Sequence, residues 1–249
     1  MVVIPGQAHW RRTVLRARRL PITQAARNGW LILAPHPDDE ALGAGGLIAG
    51  LSRAGARLQV AFLTDGAASH VDAPGWTARR VAALRAAEAK AALRVLGASA
   101  PPAWCGWRDA APFTADDPRL VRTVDRLVAM CRRQGLTRIA TTWSADPHCD
   151  HQAAAAVARA VAGRLGTVPL FYCVWGWTRG DIAEQLATMR PIVISSQGRR
   201  GVERRALACH RSQLGGRIAG ARDRFVLPRA MRRLADRRLT LLLEERDEA

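Results

Sequence analysis

The chain has 249 residues, of which 49% are hydrophobic and 24% are charged, as in an ordinary globular protein with a sizeable core. This composition excludes disorder as the dominant state, and no stretch approaches the ~18 uninterrupted apolar residues of a membrane span. The 38 basic residues outnumber the 21 acidic ones, and all basic residues except Lys90 are arginines. The formal charge of +17 serves solubility, but arginine also binds phosphate and carboxylate, which leaves anionic substrates, nucleic acid and membrane surfaces open as partners.

The cysteines and the N-terminus indicate a reducing compartment. The five cysteines, at positions 105, 131, 149, 173 and 209, are odd in number and show no CxxC spacing, which argues against a disulfide framework. The arginines between positions 11 and 19 are followed by no apolar segment, so the N-terminus lacks the pattern of a secretory signal. We therefore expect a cytoplasmic protein.

Apolar runs alternate with helical patterns along most of the chain. The patterns predict strands at 30–34, 57–64, 137–143, 168–175 and 191–195, and helices at 39–54, 77–96, 118–135, 152–165 and 202–213. Strands that alternate with helices of this length form right-handed βαβ units. The expected fold is therefore α/β, with a Rossmann-like, mainly parallel sheet covered by helices on both faces.

The sequence pattern also predicts how the chain is divided. We expect one domain over residues 28–213, a basic N-terminal arm over 1–27, and an arginine-rich C-terminal extension over 214–249 that packs on the same domain. The longest stretches without a regular pattern are 66–76 and 98–117. Both are expected at one end of the sheet, where they would shape a cleft.

The most informative segment, LILAPHPDDE at positions 31–40, sets one histidine and three consecutive carboxylates directly after the first predicted strand. Open α/β sheets bind ligands at the carboxyl ends of their strands. Three adjacent carboxylates repel one another unless positive charge compensates them, and a metal ion is a natural source of that charge. His36 and Asp39 are three residues apart, which puts them on one side of the strand-to-helix turn and directs Asp38 elsewhere.

A second cluster, WSADPHCDH at positions 143–151, follows another predicted strand. In a parallel sheet both clusters lie along one edge, so either His148 or His151 can complete a site begun by His36 and Asp39. Two imidazoles and one carboxylate suit Zn²⁺ with an open position for water, which is the arrangement of a hydrolytic zinc. Asp38 would then take a proton from the water, and the remaining histidine would stabilise the oxyanion or protonate the leaving nitrogen.

With these two boxes and a late ALACHRSQ segment at 206–213, the sequence resembles the LmbE/PIG-L family of zinc-dependent de-N-acetylases. Members of that family remove acetyl groups from N-acetylglucosaminyl conjugates. The resemblance covers residues 28–213, and the first box is its most specific part.

The resemblance implies a role for each matching residue. His36, Asp39 and His151 would hold one Zn²⁺ per chain, with Fe²⁺ as the alternative metal. Asp38 would be the general base, His148 would polarise the carbonyl or act as the acid, and Asp150 would orient His148. Two weaker correspondences make Arg85 and Asp109 substrate-binding residues. Glu40 belongs to the first box but is not expected to be a ligand.

Three departures from the family pattern leave the ligand set intact. Pro35 stands before His36 where many members carry a small residue. Cys149 replaces the usual proline between His148 and His151, which puts a soft sulfur ligand beside the metal site. Arg205 occupies the place of a common lysine.

The expected partner is a small amino-sugar conjugate, which the arginines would allow to be anionic. No recognised nucleic-acid motif is present, so we expect no nucleic-acid partner, while a membrane surface stays open. Two alternatives remain: a hydrolase of another amide on a different small molecule, and a basic module with a vestigial site that binds nucleic acid or a membrane surface. The second alternative predicts no metal and steep salt dependence of binding.

Overall fold

The computed structural model describes residues 7–195, 201–233 and 239–246. The strands are β1 (Arg18–Pro21), β2 (Gly29–Ala34), β3 (Leu58–Thr64), β4 (His70–Val71), β5 (Ala103–Trp107), β6 (Leu136–Thr142), β7 (Pro169–Tyr172), β8 (Met189–Ser195), β9 (Asp223–Arg224) and β10 (Leu239–Glu245). The helices are α1 (Gln7–Arg16), α2 (Ile22–Ala25), α3 (Asp39–Gly43), α4 (Gly45–Arg53), α5 (Ala78–Val95), α6 (Pro118–Gln134), α7 (Cys149–Leu165), α8 (Ala183–Ala187), α9 (Val202–Leu207) and α10 (Arg229–Arg232). Of the predicted arm and extension, residues 1–6, 234–238 and 247–249 lie outside the described residues, as do Arg199 and Arg200.

Eight strands form one sheet in the order β1-β8-β10-β7-β6-β2-β3-β5. Every neighbouring pair is parallel except those of β10, which runs antiparallel to both β7 and β8. The predicted α/β fold with a mainly parallel sheet is confirmed. Strands β4 and β9 form a separate antiparallel pair. Among the described residues, no helix is long and apolar enough to cross a membrane.

Both faces of the central strands are buried, which explains the apolar run of β2 and the largely apolar sequence of β3. In β2, Trp30 and Ile32 point to one face and join a hydrophobic cluster with residues of α4 and α5. Leu31 and Leu33 point to the other face and pack with residues of α6 and α7. The alternation of side chains along a strand thus places helices on each side of the sheet.

Sequence signals at helix ends agree with the structure at several places. The Thr77 side chain accepts a hydrogen bond from the Arg80 amide at the start of α5, and Asp117 caps α6 in the same way. Gly135 ends α6 in the left-handed conformation that favours glycine.

The helix predicted over 39–54 is wrong in its continuity, because the structure has two helices that meet at Ala44, where φ is −121°. The neighbouring glycines weaken a continuous helix. Gly43 also lies so close to Tyr172 that a Cβ there would come 2.1 Å from the tyrosine ring. The helix predicted over 202–213 likewise ends at Leu207, and residues 211–214 form a 3-10 turn.

Three strands of the central sheet lie outside the predicted ones. β5 falls in the stretch predicted to be irregular, β1 falls in the predicted arm, and β10 falls in the predicted extension. Both flanking segments therefore contribute strands to the same sheet as the central segment. The division of the chain at residues 27 and 213 remains a prediction.

Candidate active site

The two sequence boxes meet at one edge of the sheet. They follow β2 and β6, which are parallel neighbours, so their carboxyl ends lie side by side. A cleft of about 180 Å³ opens at this edge. All but one of the predicted site residues line the cleft: His36, Asp38, Asp39, Arg85, Asp109, His148 and His151. Asp150 lies behind the cleft and is fully buried.

His36 and His151 both approach one carboxylate oxygen of Asp39 at the base of the cleft. The Oδ2 atom of Asp39 lies 3.1 Å from His36 Nδ1 and 3.3 Å from His151 Nε2. All three side chains are at least nine-tenths buried. His151 Nε2 is buried, and beyond its contact with Asp39 Oδ2 it makes no hydrogen bond in the part of the chain described.

This donor set fits a metal ion. Two donors held 2.0–2.1 Å from a tetrahedral zinc ion are about 3.3 Å apart, close to both distances at Asp39 Oδ2. An ion there would also bind His151 Nε2, the buried nitrogen that makes no hydrogen bond. A different group of three, with one ring nitrogen each from His36, His148 and His151, has all three nitrogens within 4.8 Å of one another, so His148 is close enough to contribute.

The charges at the base of the cleft also favour a bound cation. Burial lowers the pKa of His151, but the carboxylates of Asp39 and Asp146 outweigh it and raise that pKa to about 9. Burial also lowers the pKa of His36, yet hydrogen bonds to Asp109, Asp150 and Asp39 raise it well above its usual value. The carboxylates therefore favour positive charge at this position, and a divalent cation would supply it.

Further carboxylates orient the two histidines. Asp150 Oδ2 accepts a hydrogen bond from His36 Nε2 at 3.0 Å, and Asp109 Oδ1 lies 3.2 Å from the same nitrogen. Asp146 Oδ2 lies 3.1 Å from His151 Nδ1. Carboxylates that bind the far ring nitrogen fix the tautomer and orientation of metal-binding histidines.

The contacts of Asp150 differ from those the resemblance implies. Its carboxylate hydrogen-bonds His36 and the Ala110 amide, and only its backbone N–H reaches His148, by donating to Nδ1 at 3.2 Å. The reason is local, because Asp150 lies in the first turn of α7. Its backbone amide donates to the N-cap residue His148, while its side chain contacts His36 after β2.

His148 is half-buried in the cleft, and its contacts define its tautomer. Nδ1 accepts the Asp150 amide hydrogen, so the neutral ring carries its proton on Nε2. Burial and the nearby rings of His36 and His151 lower the pKa of His148, which favours that neutral form. His148 Nε2 is thus a hydrogen-bond donor.

Asp38 is held in a strained conformation beside a buried arginine. Its φ of 145° is rare for a residue with a side chain. Its carboxylate lies 3.3 Å from the guanidinium of Arg85, which also donates to the carbonyls of Gly66 and Pro37. Burial raises the pKa of Asp38 to about 6, and the charge of Arg85 opposes a larger rise. A carboxylate in this range is suited to accept a proton near neutral pH.

The two residues implied to bind substrate are already engaged within the protein. Arg85 is buried and makes the three contacts just described. Asp109 accepts the Ala68 amide hydrogen through Oδ2, while Oδ1 faces His36. Both line the cleft, but their observed contacts support the base and the metal cluster.

The late segment stabilises the first box from behind. Glu40 accepts the Asp38 amide hydrogen through Oε2 and contacts His210 through Oε1, and both side chains are fully buried. Ser212 donates its amide and hydroxyl hydrogens to the carboxylate of Glu88 on α5. These contacts connect the late segment to the strained turn at Asp38.

Cys149 lies at the start of α7 and is exposed. Its sulfur can approach ligand atoms of His148 and Asp150 to within 4.8 Å, so these three form a second group able to hold a metal. Burial and the charge of Asp150 raise the pKa of the thiol, which disfavours the thiolate that metals require.

Two features of the site were not assigned from the sequence. Asp146 lies inside the second box, and the signal that could identify its role is its position five residues before the candidate ligand His151. Trp175 and Phe225 line the cleft, and nothing in the local sequence distinguishes a cleft aromatic from a core one.

The fold and the histidine–carboxylate cluster define an α/β protein with a candidate metal site at the edge of a parallel sheet. The family model described as PIG-L, GlcNAc-PI de-N-acetylase, matches residues 31–162, which is more than half of the chain. The chain therefore belongs to this family. A sequence comparison with curated proteins finds no match.

Solved structures with low sequence identity share the fold. The N,N'-diacetylchitobiose deacetylase from Pyrococcus horikoshii is 17% identical, with a TM-score of 0.56 over 86% of this chain and 82% of that one. A conserved protein from Thermus thermophilus is 24% identical, with a TM-score of 0.56 over 76% and 81%. A zinc-inhibited form of a teicoplanin deacetylase is 18% identical, with a TM-score of 0.56 over 75% and 85%.

Proposed function

We propose that this protein is a metal-dependent de-N-acetylase that hydrolyses the acetamide of an N-acetylglucosamine-type conjugate. The observation that carries the proposal is the convergence of His36 and His151 on Asp39 at the base of a cleft that Asp38 also lines. The deacetylase activity named for the family supports it. We propose Zn²⁺ as the metal, held by His36, Asp39 and His151, with Fe²⁺ as the alternative.

When bound, the metal polarises the acetyl carbonyl and activates a water molecule. Asp38 accepts a proton from the attacking water, and Arg85 keeps this carboxylate in position. As a bond forms between the water oxygen and the acetyl carbon, His148 donates a hydrogen bond from Nε2 to the carbonyl oxygen. The C–N bond then breaks, and the proton that Asp38 accepted from the water passes to the leaving nitrogen, giving acetate and a free amine.

The test measures acetate release from a panel of N-acetylglucosamine conjugates. The purified protein is first stripped of metal and then titrated with Zn²⁺ to one equivalent. Stepwise addition matters because one related fold is described in a zinc-inhibited form. We expect Asp38→Asn to lower acetate release by at least about 100-fold, the usual contribution of a general base. The metal content of this variant should equal that of the wild type.

The matched control is Asp125→Asn, an exposed carboxylate on α6, which should keep full activity. Acetate release that survives either metal removal or the Asp38→Asn change would contradict the proposed mechanism. Stoichiometric metal with no acetate from any conjugate would contradict the amino-sugar substrate and favour the alternative of another amide.

A further inference from the structure

Glu40 and His210 form a fully buried pair that the proposed mechanism does not use. Glu40 Oε1 and His210 Nε2 lie 2.8 Å apart, and both side chains are 0% exposed. Neither residue lines the cleft, so neither contacts a molecule bound there. A buried pair of this kind contributes little to stability, because the loss of water around two charges offsets their attraction. Its presence therefore calls for a reason other than stability.

The pair is also held at a cost. His210 Nδ1 is buried and has no hydrogen-bond partner among the described residues, and such an unsatisfied nitrogen lowers stability. Burial lowers the pKa of His210, but the charge of Glu40 and the hydrogen bond to it outweigh burial and raise that pKa above its usual value. Glu40 thus favours the imidazole form that donates from Nε2.

The other oxygen of Glu40 contacts the backbone of Asp38. Glu40 Oε2 accepts the Asp38 amide hydrogen at 2.8 Å, and φ at Asp38 is 145°. Residues with a side chain rarely adopt this conformation, and it persists only where several surrounding contacts determine it. The Glu40 carboxylate supplies one of those contacts at the backbone itself.

Helix α5 connects both ends of this arrangement. Arg85 on α5 contacts the Asp38 carboxylate at 3.3 Å. Glu88, three residues further along α5, accepts the amide and hydroxyl hydrogens of Ser212, which lies two residues after His210. The same helix therefore contacts Asp38 directly and fixes the segment that carries His210.

We propose that Glu40 and His210 are a positioning pair that holds Asp38 in the conformation required of the base. His210 keeps the Glu40 carboxylate against the Asp38 amide. Without that contact the backbone at Asp38 relaxes to an ordinary conformation, and the carboxylate moves from its place in the cleft. This inference rests on the proposed deacetylase function and adds a task for two residues that lie outside the cleft.

The test measures kcat and KM for acetate release by the metal-loaded variants Glu40→Met and Glu40→Gln. Methionine fills the space of glutamate without an oxygen acceptor, whereas glutamine keeps an acceptor for the Asp38 amide. We expect Glu40→Met to lower kcat by at least about tenfold, as displacement of a catalytic group does, with KM and metal content unchanged. Glu40→Gln should recover most of that loss.

A double variant tests whether the two residues act together. His210→Leu alone leaves a buried carboxylate unpaired, which threatens the fold, whereas Glu40→Met/His210→Leu leaves no charge behind. We expect the kcat of the double variant to match that of Glu40→Met within about twofold, because both residues act through one contact. A further loss of about tenfold or more would overturn the shared role.

Gln59→Met is the matched control. Gln59 is also buried, its side chain donates to two backbone carbonyls, and it lies outside the cleft. This variant loses buried hydrogen bonds away from Asp38, so it should keep the wild-type kcat. Thermal unfolding of each variant establishes that it is folded.

A crystal structure of metal-loaded Glu40→Met separates this proposal from the deacetylase function, because it requires no turnover. We expect a negative φ at Asp38 and loss of the Asp38 contact with Arg85. That change, with no acetate released by the wild type from any conjugate, would support the positioning pair and contradict the deacetylase. Wild-type kcat in Glu40→Met, with φ at Asp38 still near 145°, would overturn the positioning pair and leave the deacetylase intact.

Discussion

Asp38 shows how much of the site depends on a single strained residue. A φ of 145° costs about 1–3 kcal/mol, and it persists because the surroundings determine it. Glu40 holds the Asp38 amide and Arg85 holds its carboxylate. The Asp38 carboxylate contacts Arg85 while that of Asp39 contacts His36 and His151, so a candidate base and a candidate ligand are adjacent in the chain but make different contacts.

Asp146 is the residue whose importance the structure adds. It accepts hydrogen bonds from three successive amides, 174–176, and its Oδ2 faces His151 Nδ1. We predict that Asp146→Asn lowers metal affinity by about 10–100-fold, because the far nitrogen of His151 loses its charged acceptor. Competition with a chromophoric chelator measures this affinity.

Asp125→Asn serves again as the control and should bind metal like the wild type. Far-ultraviolet circular dichroism checks that Asp146→Asn keeps its fold. A folded variant with unchanged metal affinity would contradict the positioning role of Asp146 and would argue that His151 is not a ligand.

The turn from β2 into α3 and α4 depends on the close approach of one glycine to a buried ring. Gly43 ends α3, where a Cβ would come 2.1 Å from Cδ2 of Tyr172. We predict that Gly43→Ala lowers the free energy of unfolding by about 1–3 kcal/mol, because the buried ring must move to admit the methyl group. Urea denaturation measures it.

Gly163 provides a control of opposite sign. It lies inside α7 with nothing within 4 Å of an added Cβ, so Gly163→Ala should raise the free energy of unfolding by about 0.5–1 kcal/mol. If both substitutions stabilised the protein, the close approach of Gly43 to Tyr172 would be wrong.

Strands and helices with a strong local signal could be predicted from the sequence, and those that depend on distant pairing could not. β2 and β3 were predictable because each is a largely apolar run that is buried, and β6 because it is rich in β-branched residues. α5 and α6 were predictable because each carries a capping residue. β1 was not, because its sequence RRLP has no strand pattern and depends on pairing with β8. β10 has an apolar run, but nothing local shows that it inserts between β7 and β8.

The candidate site divides in the same way. His36, Asp39 and His151 could be predicted because their spacing matches a family pattern after two strand ends, and the sheet brings those ends together. The partner of Asp150 could not, because it depends on which way one side chain turns at the start of α7. The contact between Trp175 and Phe225, which both line the cleft, joins distant parts of the chain and is encoded by no periodicity.

At the scale of the whole molecule, the C-terminal strand belongs to the core. Leu242 in β10 is fully buried between β7 and β8. We predict that Leu242→Ala lowers the free energy of unfolding by about 2–5 kcal/mol, as for other large-to-small core substitutions. Leu15→Ala, at a 70% exposed position on α1, should change it by less than about 0.5 kcal/mol. Equal, small effects would mean that the C-terminal segment is a dispensable extension.

The formal charge of +17 belongs to the whole molecule rather than to the site. Many arginines are exposed on helices such as α6, which lies outside both boxes. Such charge promotes weak binding to polyanions that fades with salt. The alternative of a basic binding module remains a prediction, and it requires a site that takes up no metal.

The central claim is that His36, Asp39 and His151 hold one divalent metal ion. The most direct measurement is an anomalous difference map, collected at the zinc absorption edge from crystals of the protein loaded with one equivalent of Zn²⁺. We predict one dominant peak bounded by His36 Nδ1, Asp39 Oδ2 and His151 Nε2. A dominant peak at His148, Cys149 and Asp150, or no peak at the base of the cleft, would contradict the account.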